Sequence, residues 1–248
     1  MCFKQKKQMD NIGVKTVADT VTKNIKTAHV FKKHGIDFCC GGGISIKKAC
    51  EKYSVDYTNL IEELNALDKE VSIMSNYDQW ELDFLIDYIV NTHHKYVEEN
   101  ITILKQYATK VVDVHGHHYV ELIEINQLIH EVSDELTAHM KKEELILFPF
   151  IKKLVVATNN KTAIEVPHFG TVNNPIAMME EDHDNAGDVF KRISKLTNAY
   201  KTPEGGCNTF KALYSKLAEF EDNLHQHVHL ENNILFPKAQ KLEKSFNL

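Results

Sequence analysis

Arginine is almost absent. Arg192 is the one guanidinium in 248 residues, so bidentate recognition of phosphates or base edges is poorly supplied. A net charge of −6 points the same way, because nucleic acid rewards basic faces. Glycine and proline are scarce, at 10 and 5, which disfavours a many-turned β architecture. No apolar run approaches the ~18–20 residues that a membrane span needs. The opening MCFKQKKQMD is basic with no apolar stretch after it, so it does not read as a secretory signal. These absences leave a cytoplasmic protein that binds neither nucleic acid nor membrane. Cysteines at 2, 39, 40, 50 and 207 are odd in number and irregular in spacing, which describes no disulfide framework in a reducing compartment.

What remains is enough for a core, with 43% hydrophobic residues, and an unusual number of histidines, 14. Long stretches repeat at 3.6 residues, so the chain reads as all-α. Residues 1–10 read as a tail and 11–72 as a small helical domain. Its helices are expected over 15–34, stopped by Gly35, after Ser45 as an N-cap, and over Asp56–Leu67. A boundary is expected around SIMSNYD. From 76 to 248 come four helical stretches, roughly 78–108, 118–155, 175–200 and 207–244, which is the pattern of a four-helix bundle. They are separated in part by the breaker-rich NNKTAIEVPHFGTVNN and KTPEGG.

Two of those stretches say nearly the same thing. HMKKEELILFPFIKKL, from His139, and HVHLENNILFPKAQKL, from His227, share eight of sixteen positions. Each has a histidine upstream: His94 lies 45 residues before His139, and His183 lies 44 before His227. Phase separates His94 from His93. Apolar residues follow His183 at Ala186, Phe190 and Ile193; the same offsets from His94 give Val97, Ile101 and Leu104, whereas from His93 they give Tyr96, Asn100 and Ile103. His93 is therefore expected on a flank. A histidine and a glutamate four residues apart leave one helix face, a turn apart. Apolar residues at 146–148 and 234–236 are expected to seal one bundle end, and Pro149 and Pro237 to kink their helices.

His94, His139, Glu143, His183, His227 and Glu231 thus converge on one core, with at least one group from every helix. Buried acids and imidazoles lacking partners cost several kcal/mol, and a metal supplies the partner. Mixed imidazole and carboxylate donors suit iron, manganese or zinc. Two glutamates among four histidines fit two carboxylate-bridged ions with two imidazoles each. Glu135 and the acids around His183 are candidates to orient a ligand imidazole. His225 and His229 are assigned to the surface or to such a supporting role, and His115, His117 and His118 to an inter-helix loop. In IDFCCGGG, Cys39 and Cys40 sit on glycine-rich, mobile backbone. A disulfide between such neighbours would be readily reduced, and their thiolates would bind soft or borderline metals, including iron. Cys50 is expected in the small domain's core, and Cys2 and Cys207 as bystanders.

DFCCGGG, HMKKEELILFP, MEEDHDNAGD and HVHLENNILFP, in this order, resemble the repair-of-iron-centres family over about residues 15–240. The ten-residue basic lead-in lies outside that pattern, and Met9 is a candidate natural start. The resemblance implies a hemerythrin-like bundle after a small domain carrying the cysteine pair. It implies two non-haem iron ions, oxo- and carboxylate-bridged, on the same six residues and capped by His94 with His139 and His183 with His227. Cys39 and Cys40 are the implied pair that carries iron or reducing power. The implied function is repair of iron–sulfur clusters damaged by nitrosative or oxidative stress, with damaged iron–sulfur proteins and gases such as nitric oxide or dioxygen as partners and a homodimer left open. Three rival readings stand beside it. One is reduction of nitric oxide or dioxygen at the pair. Another is a gas carrier or sensor, which the count of four histidines disfavours. The third is a structural metal staple, which leaves DFCCGGG without a use.

Overall fold

The structure is a computed structural model that describes residues 13–67 and 76–246; the expected tail and most of SIMSNYD lie outside them. The described residues contain helices and no strand; the nearest approach to one is an isolated antiparallel bridge between Thr16 and Ser45. The chain is an all-α protein built around a hemerythrin-like bundle. It divides into two compact units, Met1–Glu81 with Val228–Lys238, and Leu82–His227 with Ala239–Leu248.

In the first unit, helix α1 (Val17–Lys23) is capped by Thr16 Oγ1, α3 (Ile46–Tyr53) by Ser45 Oγ and α4 (Tyr57–Ala66) by Asp56 Oδ1. Each cap accepts a backbone N–H three residues on, as short side-chain oxygens at N-caps do. The expected 15–34 helix is in fact two. It breaks at Asn24, whose side chain accepts from Lys26 N and whose carbonyl accepts from Thr27 N, before α2 (Thr27–Lys33) begins. Asparagine offers the backbone these local alternatives, and periodicity does not register them. Gly35 ends α2 at φ +67°, as its lack of a Cβ allows. Val17, Val21, Phe31, Ile46, Ala49, Cys50, Leu60 and Ile61 form the buried centre of these four helices.

The bundle is made of four rods. The first runs through α5 (Leu82–Ile89), a π-turn (Val90–His94) and α6 (Lys95–His115). The second is α7 (Glu121–Lys142), a π-turn (Glu143–Leu147) and α8 (Phe148–Asn160). The third is the unbroken α9 (Asn173–Leu196). The fourth is α10 (Asn208–Leu230), a π-turn (Glu231–Leu235) and α11 (Phe236–Lys244). The expected proline kinks take this form: the π-turns of the second and fourth rods end one residue short of Pro149 and Pro237, each of which sits second in the next helix. A π-turn inserts one residue and shifts the ladder, and such turns gather at functional sites. The π-turn before His94 has no proline and left no mark in the sequence. Phe190 and Phe220 stack at 5.7 Å in the core, and Leu104, Val111, Ile129, Ile193 and Leu217 are buried in the same unit.

Candidate metal centre

The six side chains singled out by the repeat are all buried, with Glu143 and Glu231 at 0% exposure. His94 ends the first rod's π-turn, and Glu143 and Glu231 each open one. A π-turn locally widens the helix, which turns these three groups inward without breaking their rods. Two groups of potential ligand atoms result: His94, Glu143, His227 and Glu231, and His139, Glu143, His183 and Glu231. Within each group the atoms lie within 4.8 Å of one another, and both glutamates are shared.

The imidazoles pair differently from the expectation. His94 Nε2 lies 3.1 Å from His227 Nε2, and His139 Nε2 lies 3.1 Å from His183 Nε2. The first histidine of one repeat therefore meets the second histidine of the other. The reason is spatial: α7 packs against α9, so His139 faces His183 across rods and not its own sequence partner. Glu143 Oε2 reaches both groups, at 3.4 Å from His94 Nε2 and 3.3 Å from His139 Nε2.

Outer carboxylates decide which face of each imidazole looks inward. His94 Nδ1 is 2.6 Å from Glu144 Oε1, and His139 Nδ1 is 3.2 Å from Asp182 Oδ2. A carboxylate accepts, so each Nδ1 donates, and a neutral ring then turns an Nε2 lone pair inward. Burial pushes the Asp182 carboxyl up, but hydrogen bonds from Lys142 and His139 outweigh it and leave it below its ordinary range. Lone pairs and carboxylate oxygens gathered in a buried space form a donor set for cations, and its nitrogen and oxygen chemistry fits iron. Removing either outer acid, by Glu144→Ala or Asp182→Ala, is expected to weaken metal binding about 10–100-fold. Competition against a chelator of known affinity measures this.

Some roles differ from the reading of the sequence. Asp182 is the acid around His183 that orients an imidazole, whereas Glu135 is exposed. Glu144 was missed; it is adjacent to Glu143, and its side chain leaves the helix toward another rod. His93 is buried instead of flanking: its Nδ1 lies 3.1 Å from Asn223 Oδ1, and its ring lies parallel to that of His227. His229 is fully buried, and desolvation pushes its pKa down to about 4. Leu147 and Phe148 are buried as expected, but Ile146 is exposed, unlike its counterpart Ile234.

The cysteine loop is tied down more firmly than its glycines suggest. Asp37 Oδ1 accepts from the backbone N–H groups of Cys39 and Cys40 at 3.1 and 3.2 Å, and from Cys39 Sγ at 3.3 Å. Gly42 serves close approach, because a Cβ there would meet the Phe38 carbonyl oxygen at 2.3 Å. Both cysteines are free thiols, Cys39 buried and Cys40 half-buried, and Cys50 lies in the core as expected. The hydrogen bond with Cys40, burial and the Asp37 charge hold the Cys39 thiol well above its ordinary range.

Cys207, expected as a bystander, has a side-chain partner. It is exposed, 3.1 Å from His115 Nε2, and hydrogen bonds from His115 and the backbone of Phe210 and Thr209 lower its pKa to about 7. A lowered pKa means thiolate at lower pH, so its alkylation rate should rise through an inflection near pH 7 and then level off. His115→Gln should move that inflection toward the usual ~8.5. Rates followed by mass spectrometry across pH check both.

The fold and its buried ligand set define a hemerythrin-type metal-binding bundle preceded by a small helical domain. The model for the hemerythrin HHE cation binding domain matches residues 85–239, and ScdA_N, a domain of unknown function (DUF542), matches 13–68. The iron-sulfur cluster repair protein ScdA of Staphylococcus haemolyticus is 35% identical over 222 residues, covering 90% of this chain and 96% of that protein. The iron-sulfur cluster repair protein YtfE of Yersinia pseudotuberculosis is 35% identical over 214 residues, covering 86% and 91%. The chain belongs to this family of iron–sulfur cluster repair proteins. No helix among the described residues is long and apolar enough to cross a membrane.

Proposed function

We propose that this protein repairs iron–sulfur clusters damaged by nitrosative or oxidative stress. It would use two non-haem iron ions held by His94, His139, Glu143, His183, His227 and Glu231. The observation that carries the reading is the convergence of four imidazole nitrogens and two fully buried, shared carboxylates. When bound, a pair of iron ions supplies exchangeable iron and one-electron chemistry. The protein's own part is to orient two imidazoles by Glu144 and Asp182, keep the carboxylates dry, and present a thiol pair. Cys39 and Cys40 are assigned to the transfer of iron or reducing power to the client.

The clients in this reading are damaged iron–sulfur proteins, and a cytoplasmic location goes with it. Nitric oxide and dioxygen are the gases whose damage it answers. The direct test is recovery of a purified iron–sulfur enzyme inactivated by nitric oxide. The iron-loaded protein should restore its activity, and the His139→Ala variant should not. Equal recovery with both would overturn the assignment of the centre.

A further inference from the structure

The two repeats carry the same ligands but differ at the positions between them. Where the second repeat has His229, Asn232 and Asn233, the first has Lys141, Glu144 and Leu145. In the first repeat Lys141 and Leu145 face solvent, Leu145 at 76% exposure, and Leu145 lines an open groove with Ile146, Val156 and Val166. Glu144 is committed to His94. In the second repeat the same three positions are turned to the cysteine loop. Asn233 Nδ2 donates to the Cys39 carbonyl at 3.0 Å and meets His229 Nδ1 at 3.1 Å. Asn232 Nδ2 lies 3.9 Å from Cys40 Sγ, and the Phe38 ring packs edge-on against His229 at 5.9 Å. His229 Nε2 is 3.5 Å from Thr22 Oγ1, which ties the same ring to α1.

We propose that the second repeat has been adapted as a cradle for the cysteine loop, with His229, Asn232 and Asn233 as positioning residues that present Cys40 and retain Cys39. The two Asn233 N–H bonds fix one end of the loop through a carbonyl and orient the ring on which Phe38 rests. Asp37 accepts from the Cys39 thiol, and the surrounding packing buries that sulfur. Cys40 is the half-buried thiol, with an amide N–H turned to its sulfur, so it meets an incoming electrophile or soft metal ion first. The division of labour rests on the cysteine-pair reading above.

Limited alkylation of the full-length iron-loaded protein with iodoacetamide, mapped by mass spectrometry, tests it without an activity assay. Cys40 should be modified at least about tenfold faster than Cys39. Asn233→Leu, which installs the residue found at 145, should raise the Cys39 rate and bring the two within about twofold, with iron content unchanged. Asn233→Asp keeps the side-chain shape without the N–H donors and should do the same if the leucine variant does not fold. Comparable rates in the parent protein, or an unchanged ratio in a folded, iron-loaded variant, overturns the proposal. Failure of the underlying reading shows elsewhere, as full cluster recovery by a protein lacking both cysteines.

Discussion

Glu143→Leu is expected to lose bound iron, yet to leave the metal-free protein at least as stable as its parent. The side chain is wholly buried, and Oε2 stands 3.3–3.4 Å from two imidazole nitrogens, one in each ligand group. Without a cation, burying that charge costs several kcal/mol, of which the imidazoles return only part. Leucine removes the cost and fills much the same volume, for a net change from near zero to about 4 kcal/mol in the variant's favour. With metal at a thousandfold excess over its dissociation constant, the parent gains about 4 kcal/mol that the variant largely forgoes. Thermal denaturation with and without chelator should therefore show the order of stability reversing, or closing to equality. A variant less stable by the same amount in both conditions would make Glu143 a structural ion-pair partner and nothing more.

The second large effect concerns the thiols. Cys39→Ala with Cys40→Ala should reduce recovery of a nitric-oxide-damaged client to that of a control without protein. Iron content and bundle stability should stay within about 1 kcal/mol of the parent, because the substitutions are small and touch no ligand. The first unit contains Asp37, Cys39, Cys40 and the Asn232–Asn233 pair, so the double variant empties the loop of sulfur and keeps its backbone partners. Recovery equal to the parent would remove the cysteine pair from the transfer step while leaving the metal centre as described.

The six converging side chains were legible because duplication doubles the signal. One histidine and glutamate a turn apart on a helix mean little, but a second copy with matched upstream histidines leaves few alternatives to a shared core. Which imidazoles pair across that core was not legible, since it depends on which rods are neighbours and the repeat orders residues only along the chain. Glu144 was missed, and His229 was left open between surface and support, for a related reason. Both lie beside ligands in sequence, but they point to partners 50 residues and roughly 190 to 210 residues away, respectively. His93 was assigned outward by phase because its offsets were computed for a regular helix, whereas Val90–His94 is a π-turn, where two successive histidines can both be buried. The break at Asn24 escaped because an asparagine side chain competes with the helix locally without disturbing the apolar pattern.

Everything rests on two ions sharing two carboxylates, and metal analysis of the folded protein joined to Mössbauer spectroscopy meets that most directly. The account predicts about two iron ions per chain, magnetically coupled through common ligands. Well-folded protein that binds a single uncoupled ion, or takes up no transition metal when it is offered, would contradict it.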